Sequence, residues 1–161
     1  MTKIVSGFRH NFAINEKGEL YGWGFNSMMQ LANADEYIDP ENPKQAIFTP
    51  TQILGPLEKK FVVDVAAGEE HSVIVAQTRV NNVTVAEQVF SCGNNLKGQL
   101  GINRVSHLND LTLVEDISEL FDMVDEHQKP LLIKKIACGR RFCMAAFEYG
   151  AFFMWGDNEL G

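Results

Sequence analysis

SGFRHNFAINEKGELYGWGFN, at residues 6–26, matches CGRRFCMAAFEYGAFFMWGDN, at residues 138–158, without a gap. In both stretches the first two motif glycines lie 11 residues apart, and a tryptophan follows the second of them by five residues. Each tryptophan is then followed by a glycine, one further residue and an asparagine. Because glycines, tryptophan and asparagine all agree in register, the match indicates an internal repeat, whose period decides the choice of fold.

A third copy lies between these two stretches and starts as AGEEHSVIVA at Ala67. Its motif glycines Gly68 and Gly93 lie 25 residues apart, against 17 in the other copies. The additional residues fall in QTRVNNVTVAEQ, where valines alternate with polar residues around Asn81 and Asn82. This pattern is typical of a β-hairpin that is lengthened at its tip.

Each copy predicts several short β-strands. The runs FAIN, SVIVA and FCMAAF are each followed by further strand-like sequence, and FVVDVAAG and LIKKIACG come before two of them. A unit of three or four short strands, repeated with variable linkers, predicts the blades of a β-propeller. We therefore predict an all-β fold of about two and a half to three blades, an incomplete propeller. The repeat cores are placed at about 4–32, 61–101 and 132–161, with linkers at 33–60 and 102–131.

The repeat resembles that of the RCC1 (regulator of chromosome condensation) family, whose pattern runs C-G-x-x-H-(T/S) and ends W-G-x-N-x-x-G-Q-L-G. The matching positions, which the resemblance implies are structural, are Gly7, His10, Trp23, Gly24, Asn26, Gly68, His71, Gly93, Asn95, Gly139, Trp155, Gly156 and Asn158. Some positions depart from the pattern. Met29 and Ala32 replace glycines in copy one, Cys92 replaces tryptophan in copy two, and Phe142 replaces histidine in copy three.

The last nine residues, FMWGDNELG, repeat the motif turn of copy two up to its second glycine. In copy two that turn continues into Gln99, Leu100 and Gly101, so Gly161 is expected to interrupt the motif. Closed propellers have four to eight blades, and this chain has three copies. We therefore expect a fragment of a larger propeller, or one member of a multi-subunit assembly.

Composition narrows the classes of partner. The formal charge of the 161 residues is −7, which disfavours a nucleic-acid-binding surface. No apolar h-region follows Met1 and no stretch reaches transmembrane length, so membrane insertion is not expected. The three cysteines are odd in number and do not resemble a disulfide framework. We expect an intracellular protein of the cytoplasm or nucleus, and the resemblance adds the cilium.

No catalytic or metal-binding constellation emerges from the spacing of residues. His10 and His71 occupy one repeated motif position and Phe142 occupies the third, which favours structural hydrogen bonding over catalysis. Cys138 and Cys143 have no second pair of zinc ligands nearby in the sequence. We therefore expect a protein that is not an enzyme and that has no catalytic residue, metal or cofactor.

Residues that differ between copies are the candidates for recognition, because a repeat scaffold carries its individuality in loops. Phe25, Met28 and Met29 place apolar side chains in the motif loop of copy one. They form either a contact patch for a partner or a cover for the neighbouring blade.

The lengthened hairpin is the second candidate, with Arg79, Asn81, Asn82 and Val83 at its tip. It is either a projecting contact or an inert loop. Residues 116–127 carry apolar side chains at helical spacing and predict a short amphipathic helix, which more often packs on its own domain than on a partner.

The resemblance implies a recognition fold. Our first interpretation is a non-enzymatic protein–protein interaction scaffold built from RCC1-like repeats, with protein partners or neighbouring subunits. The alternative is a segment of a guanine-nucleotide exchange factor that acts on a Ran-like small GTPase. A third interpretation is the RCC1-like portion of a multidomain protein such as a ubiquitin ligase.

Overall fold

The computed structural model describes residues 1–32, 46–106, 110–119 and 131–159. Within these ranges the chain forms three antiparallel sheets, one after another in the sequence. The first sheet contains β1 (Lys3–Ser6), β2 (His10–Ile14), β3 (Leu20–Phe25) and β4 (Ala46–Gln52). The second contains β5 (Phe61–Ala67), β6 (His71–Val80), β7 (Val83–Gly93) and β8 (Thr112–Leu113). The third contains β9 (Ile133–Cys138), β10 (Phe142–Phe147) and β11 (Phe152–Gly156).

Each sheet is a meander in which consecutive strands are hydrogen-bonded neighbours, the arrangement of a propeller blade. The register repeats with the sequence motif. His10 pairs with Gly24, His71 with Gly93, and Phe142 with Gly156. This shared register confirms the alignment of the three copies, and the all-β fold class is confirmed with it.

The fourth strands of the first two blades lie inside the segments that the sequence pattern assigns to linkers. Strand β4 (AIFTPTQ) is half-buried to exposed and contains Pro50, and β8 has only two residues. An outer strand of this kind lacks the buried apolar alternation by which strands are detected, and proline is tolerated there because no neighbour needs its N–H. The segments that the sequence pattern assigns to linkers therefore contain β4 and β8, which are strands of the blades.

The apolar core lies between blades, in two clusters. Strand β6 contributes to both, because its alternating side chains point to opposite faces. Ile74 and Ala76 belong to the cluster shared with the first blade, whereas Val73 and Val75 belong to the cluster shared with the third. The run from Val73 to Ala76 is continuously apolar because both faces of β6 are covered.

One short helix, α1 (Glu115–Ser118), follows β8, and Ile117 packs into the cluster between the second and third blades. The rest of the helix predicted at 116–127 lies outside the described residues, as does Gly161. In the part of the chain that is described, no helix combines the length and apolar character needed to cross a bilayer.

Candidate functional site

The junction between the first and second blades is held by a buried histidine. His10 is fully buried, and its Nε2 lies 2.8 Å from Oγ of Ser72 in the second blade. The Ser72 hydroxyl donates to the carbonyl oxygen of Gln30 at 2.8 Å. Because that hydroxyl proton is already committed, Nε2 of His10 must donate to Ser72 Oγ. The two hydrogen bonds form a relay: the first runs from His10 of the first blade to Ser72 of the second, and the next runs from Ser72 back to the motif loop of the first blade.

The junction between the second and third blades repeats this relay with a thiol in place of the hydroxyl. His71 Nε2 lies 3.1 Å from Sγ of Cys143, and that thiol donates to the carbonyl oxygen of Gln99 at 3.3 Å. His71 is also fully buried. Both histidines therefore join blades through hydrogen bonds, and we propose that this is their role.

The spacing of the glycine and histidine in the motif has a steric cause. A Cβ atom on Gly68 would lie 2.1 Å from Cε1 of His71, and one on Gly139 would lie 2.2 Å from Cε1 of Phe142. The ring of the residue three positions later occupies the space that a side chain would need. Phe142 can replace histidine at this position because the ring, rather than its nitrogen atoms, fills that space.

The motif loop after the third strand is shaped by its asparagine and glutamine. Asn95 Oδ1 accepts from the Leu100 N–H at 2.9 Å, and Gln99 Oε1 accepts from the Lys97 N–H at 2.8 Å. Asn26 and Gln30 accept from Leu31 and Met28 in the same way, at 2.8 and 2.9 Å. These bonds fix the conformation of the loop. They thereby position the backbone carbonyl of the glutamine, which accepts the hydrogen bond from the next blade.

The replacement of tryptophan by Cys92 preserves a contact. Trp155 Nε1 donates to the Gln99 carbonyl at 3.0 Å, and Cys92 Sγ donates to the equivalent Gln30 carbonyl at 3.4 Å. Burial raises the pKa of Cys92, which keeps this thiol protonated and able to donate. The sequence departs from the motif here while the hydrogen bond to the loop remains.

The third blade adds a second thiol to the junction. Cys138 and Cys143 face each other across β9 and β10, with their Sγ atoms 3.1 Å apart. The hydrogen bond with Cys143 lowers the pKa of Cys138 to about 6, and contacts with His71 act in the same direction. Burial and the Cys138 sulfur raise the pKa of Cys143. Cys138 is therefore the more acidic thiol of the pair.

An ionic cluster joins the first strands of all three blades. Lys3, Asp64 and Lys135 each lie four residues before the first motif glycine of their copy. The Asp64 carboxylate contacts the Lys3 ammonium and lies 3.6 Å from Nζ of Lys135. It also accepts from the N–H groups of Val65 at 2.8 Å and Ile136 at 3.4 Å. The side chain of Asp64 is only 12% exposed, so these partners offset its desolvation.

Asp64→Ala should lower the free energy of unfolding by about 2–3 kcal/mol, because it removes charged hydrogen bonds to buried groups. The Ile136 N–H loses this acceptor, and the half-buried Lys3 ammonium keeps the Val65 carbonyl, 3.4 Å away, in place of its carboxylate partner. Urea denaturation measures the loss. Lys135→Met is the matched control: the Lys135 side chain is 61% exposed, and the expected loss is below about 0.5 kcal/mol. Equal losses for the two variants would contradict the central place of Asp64.

The candidate recognition residues divide between opposite ends of the blades. Phe25 lies at the end of β3, with the Arg9 guanidinium 5.6 Å from its ring, and Met28 and Met29 are half-buried in the adjoining loop. The hairpin that contains Arg79 lies at the other end, where β6 finishes. The structure therefore does not bring the two groups of candidates together.

The lengthened hairpin closes on a two-residue turn. Asn81 and Asn82 have φ values of 51° and 63° between the paired residues Val80 and Val83. Two consecutive positive φ values give the turn that suits the twist of a hairpin, and asparagine tolerates them. The hairpin predicted from this segment is confirmed. Arg79 folds back instead of projecting, with its guanidinium 3.7 Å from the centre of the Phe61 ring.

Three valines near the tip of the hairpin are exposed. Val80, Val83 and Val85 are 55%, 63% and 50% exposed. Val80 pairs with Val83 across the hairpin, so these two side chains share a face. Val85 lies two residues beyond Val83, where the register shifts opposite Thr78 and Arg79. We call these three residues the valine face.

A groove of about 500 Å³ lies at the same end, between the first and second blades. Sequence reasoning missed it because its walls come from a β-turn, a linker and the hairpin. Lys59 and Lys60 look like an ordinary solvated pair in the sequence. The charged residues that line the groove are Lys17, Glu19, Glu58, Lys59, Lys60 and Arg79. Four cations and two anions make the groove locally positive in a chain of net charge −7.

Meandering antiparallel blades that pack in chain order and share a junction motif define a β-propeller repeat protein. A family model described as "Regulator of chromosome condensation (RCC1) repeat" matches residues 17–75, and a second model of the same description matches residues 1–30. The chain therefore belongs to the RCC1 repeat family, and its sheets are blades of that type of propeller.

Three relatives illustrate the range of proteins that contain such repeats. The probable E3 ubiquitin-protein ligase HERC6 of Homo sapiens is 29% identical over 78% of this chain, and the ultraviolet-B receptor UVR8 of Arabidopsis thaliana is 33% identical over 73%. The crystal structure of Prp20p from Saccharomyces cerevisiae, described with its binding to Gsp1p and histones, covers 96% of the chain at 22% identity and a TM-score of 0.62. The chain spans 11%, 23% and 32% of these proteins. The relatives support a repeat-based interaction domain.

Proposed function

We propose that this chain is a non-enzymatic protein–protein interaction scaffold whose binding surface is the valine face together with the adjoining groove. The observation that carries the proposal is the valine face itself, with Val80, Val83 and Val85 each at least half exposed. Scattered exposed apolar residues are common on protein surfaces, whereas a contiguous apolar patch beside polar groups marks a contact site. The hairpin that displays this patch is also the segment in which copy two differs in length from the others.

The backbone of β7 offers a second element of recognition. Strand β8 pairs with β7 only at Phe90 and Ser91. Among the described residues, no strand pairs with the outer edge of β7 from Val83 to Gln88. An exposed strand edge accepts an extended segment of another chain through main-chain hydrogen bonds. The partner chemistry that fits is therefore an extended apolar segment with acidic residues near the cationic groove.

Val83→Asp tests the proposed surface. A photo-reactive benzoylphenylalanine at position 83 identifies the bound protein, and calorimetry with that purified protein gives the dissociation constant. We expect Val83→Asp to raise the dissociation constant at least about tenfold, because it places a charge in the centre of the apolar contact. Val105→Asp is the matched control, since Val105 is a valine that is 75% exposed and lies outside the hairpin. An unchanged constant for Val83→Asp, or an equal loss for Val105→Asp, would refute the proposal.

The third blade supports the proposal that further blades or another subunit complete the assembly. Phe142 occupies the position from which His10 and His71 reach into the next blade, and it is 38% exposed. Phe152 and Met154 on β11 are 66% and 57% exposed. A following blade would cover side chains of this kind, as the second and third blades cover the first two histidines. An intracellular location stays a prediction from the sequence.

The alternative function is that of an exchange-factor segment acting on a Ran-like small GTPase. It is supported by the likeness to Prp20p, whose structure is described with its binding to Gsp1p, although likeness at 22% identity shows the fold alone. Release of fluorescent GDP from Gsp1p in the presence of the purified chain tests it. Accelerated release would replace the scaffold proposal, and an unchanged rate would leave the scaffold as the function.

A further inference from the structure

We propose that His71, Cys138 and Cys143 bind a Zn²⁺ ion at the junction of the second and third blades. The donor atoms, one imidazole nitrogen and two sulfurs, all lie within 4.8 Å of one another. They come from β9 and β10, which are paired in the third sheet, and from β6 of the neighbouring second sheet. Two cysteines and one histidine are a ligand set that zinc takes in proteins, with the fourth position left to water.

The observed distances need only a small adjustment for zinc. The Cys138 and Cys143 Sγ atoms are 3.1 Å apart, and His71 Nε2 is 3.1 Å from Cys143 Sγ. Zinc–sulfur bonds of about 2.3 Å at a tetrahedral angle separate two sulfurs by roughly 3.8 Å. The thiol groups must therefore move apart by less than about 1 Å. Cys138 is half-buried, so the ion can enter from its side.

The first junction shows that blade packing does not require this ligand set. His10 is the counterpart of His71 there, and Ser72 takes the place of Cys143. The residue before the motif glycine is Ala67, where the third copy has Cys138. The first junction is buried and hydrogen-bonded with a hydroxyl and a methyl group at these positions. Cys138 occupies the cysteine position of the repeat pattern, whereas Cys143 stands where the pattern has threonine or serine, so the pair of thiols distinguishes the second junction from the first.

Sequence spacing conceals this cluster because its third donor comes from another blade. Cys138 and Cys143 have no second ligand pair nearby in the sequence, and His71 lies 67 residues before Cys138. The fold places this histidine against the thiols because each motif histidine reaches into the following blade.

Charge balance favours Zn²⁺ over the monovalent thiophilic ion Cu⁺. Cys138 and Cys143 both bind as thiolates, so that two negative charges neutralise the divalent ion inside a buried junction. Cu⁺ with the same ligands would leave a net negative charge there, which burial disfavours. The proton on His71 Nε2 moves to Nδ1, which has no hydrogen-bond partner among the described residues. The zinc ligands are then two thiolates and a neutral imidazole with its proton on Nδ1.

Zinc titration of the reduced, metal-free chain tests the proposal, with a chromophoric chelator as competitor. We expect one Zn²⁺ per chain, and Co²⁺ should give the sulfur-to-metal charge-transfer absorption of a thiolate site. Cys138→Ala should weaken zinc binding at least about 100-fold, because it removes a metal ligand itself rather than a residue that supports a ligand through a hydrogen bond. This variant should fold, since Ala67 holds the equivalent position in the first junction.

The reciprocal variant builds the cluster where it is lacking. Ala67→Cys combined with Ser72→Cys places two thiols beside His10 and should raise the stoichiometry from one Zn²⁺ to two. Zinc binding that is absent from the wild-type chain, or equally tight in Cys138→Ala, would overturn the proposal. A mass loss of two hydrogens without bound zinc would also overturn it, because it would show that the thiols form a disulfide instead.

Discussion

Gly93→Ala should lower the free energy of unfolding by about 4 kcal/mol, although it adds a single methyl group. Gly93 has a φ of 107°, a left-handed conformation that costs an L-residue about 1–2 kcal/mol. Its Cβ would lie 2.3 Å from the carbonyl oxygen of Glu70 and 2.8 Å from Cα of His71. Both are backbone atoms of a paired strand and its turn, which cannot rotate away. Overpacking of this kind adds about 1–3 kcal/mol.

Gly98→Ala is the matched control for this prediction. Gly98 also has a positive φ, 74°, but none of the described residues places an atom within 4 Å of the position that its Cβ would take. Only the conformational cost remains, so a loss of about 1 kcal/mol is expected. Met29, at the equivalent position of the first copy, has a φ of 61° and shows that a side chain fits there. Urea denaturation of Gly93→Ala and Gly98→Ala, with the same m-value for both, compares their free energies of unfolding. Equal losses for the two variants would contradict the steric argument.

The repeat alignment predicted most of the fold because the motif residues act through short-range geometry. Glycines with a neighbouring ring or a positive φ recur at fixed spacing, so their register could be read from the sequence. Strand β4 could not be found in this way, since Pro50 and exposed side chains give an edge strand no apolar period. Met29 and Ala32 stand at glycine positions with φ values of 61° and 53°, a strain that only the structure shows.

The site was less accessible to sequence reasoning because its contacts cross between blades. Lys3, Asp64 and Lys135 share one repeat position, and their alternating signs are a signal that the alignment contained. These residues form an ionic cluster only because β1, β5 and β9 lie close together in the tertiary structure, which the sequence alone does not show. The valine face could be anticipated from the hairpin pattern, whereas the folding of Arg79 onto Phe61 could not.

Acidification from pH 7 to pH 4 should destabilise the chain by about 3 kcal/mol through His10 alone. Burial, followed by the influence of His71, lowers the pKa of His10 from 6.5 to about 4. Below pH 6.5 His10 binds a proton in the unfolded chain, whereas in the folded chain it stays neutral down to about pH 4. The stability is therefore fully present above pH 6.5 and is lost as the pH falls through this window. The difference of 6.5 − 4 units, at 1.36 kcal/mol per unit, gives the stated loss of about 3 kcal/mol.

His10→Gln separates this contribution from that of the other acid-sensitive groups, such as Glu87, whose pKa is raised by burial. The glutamine amide can donate to Ser72 from the position of Nε2 but does not titrate. Urea denaturation at pH 7, 6, 5 and 4 should show the free energy of unfolding falling about 3 kcal/mol further in the wild type than in the variant. Parallel pH profiles for the two proteins would show that His10 is not the buried neutral group that joins the first two blades.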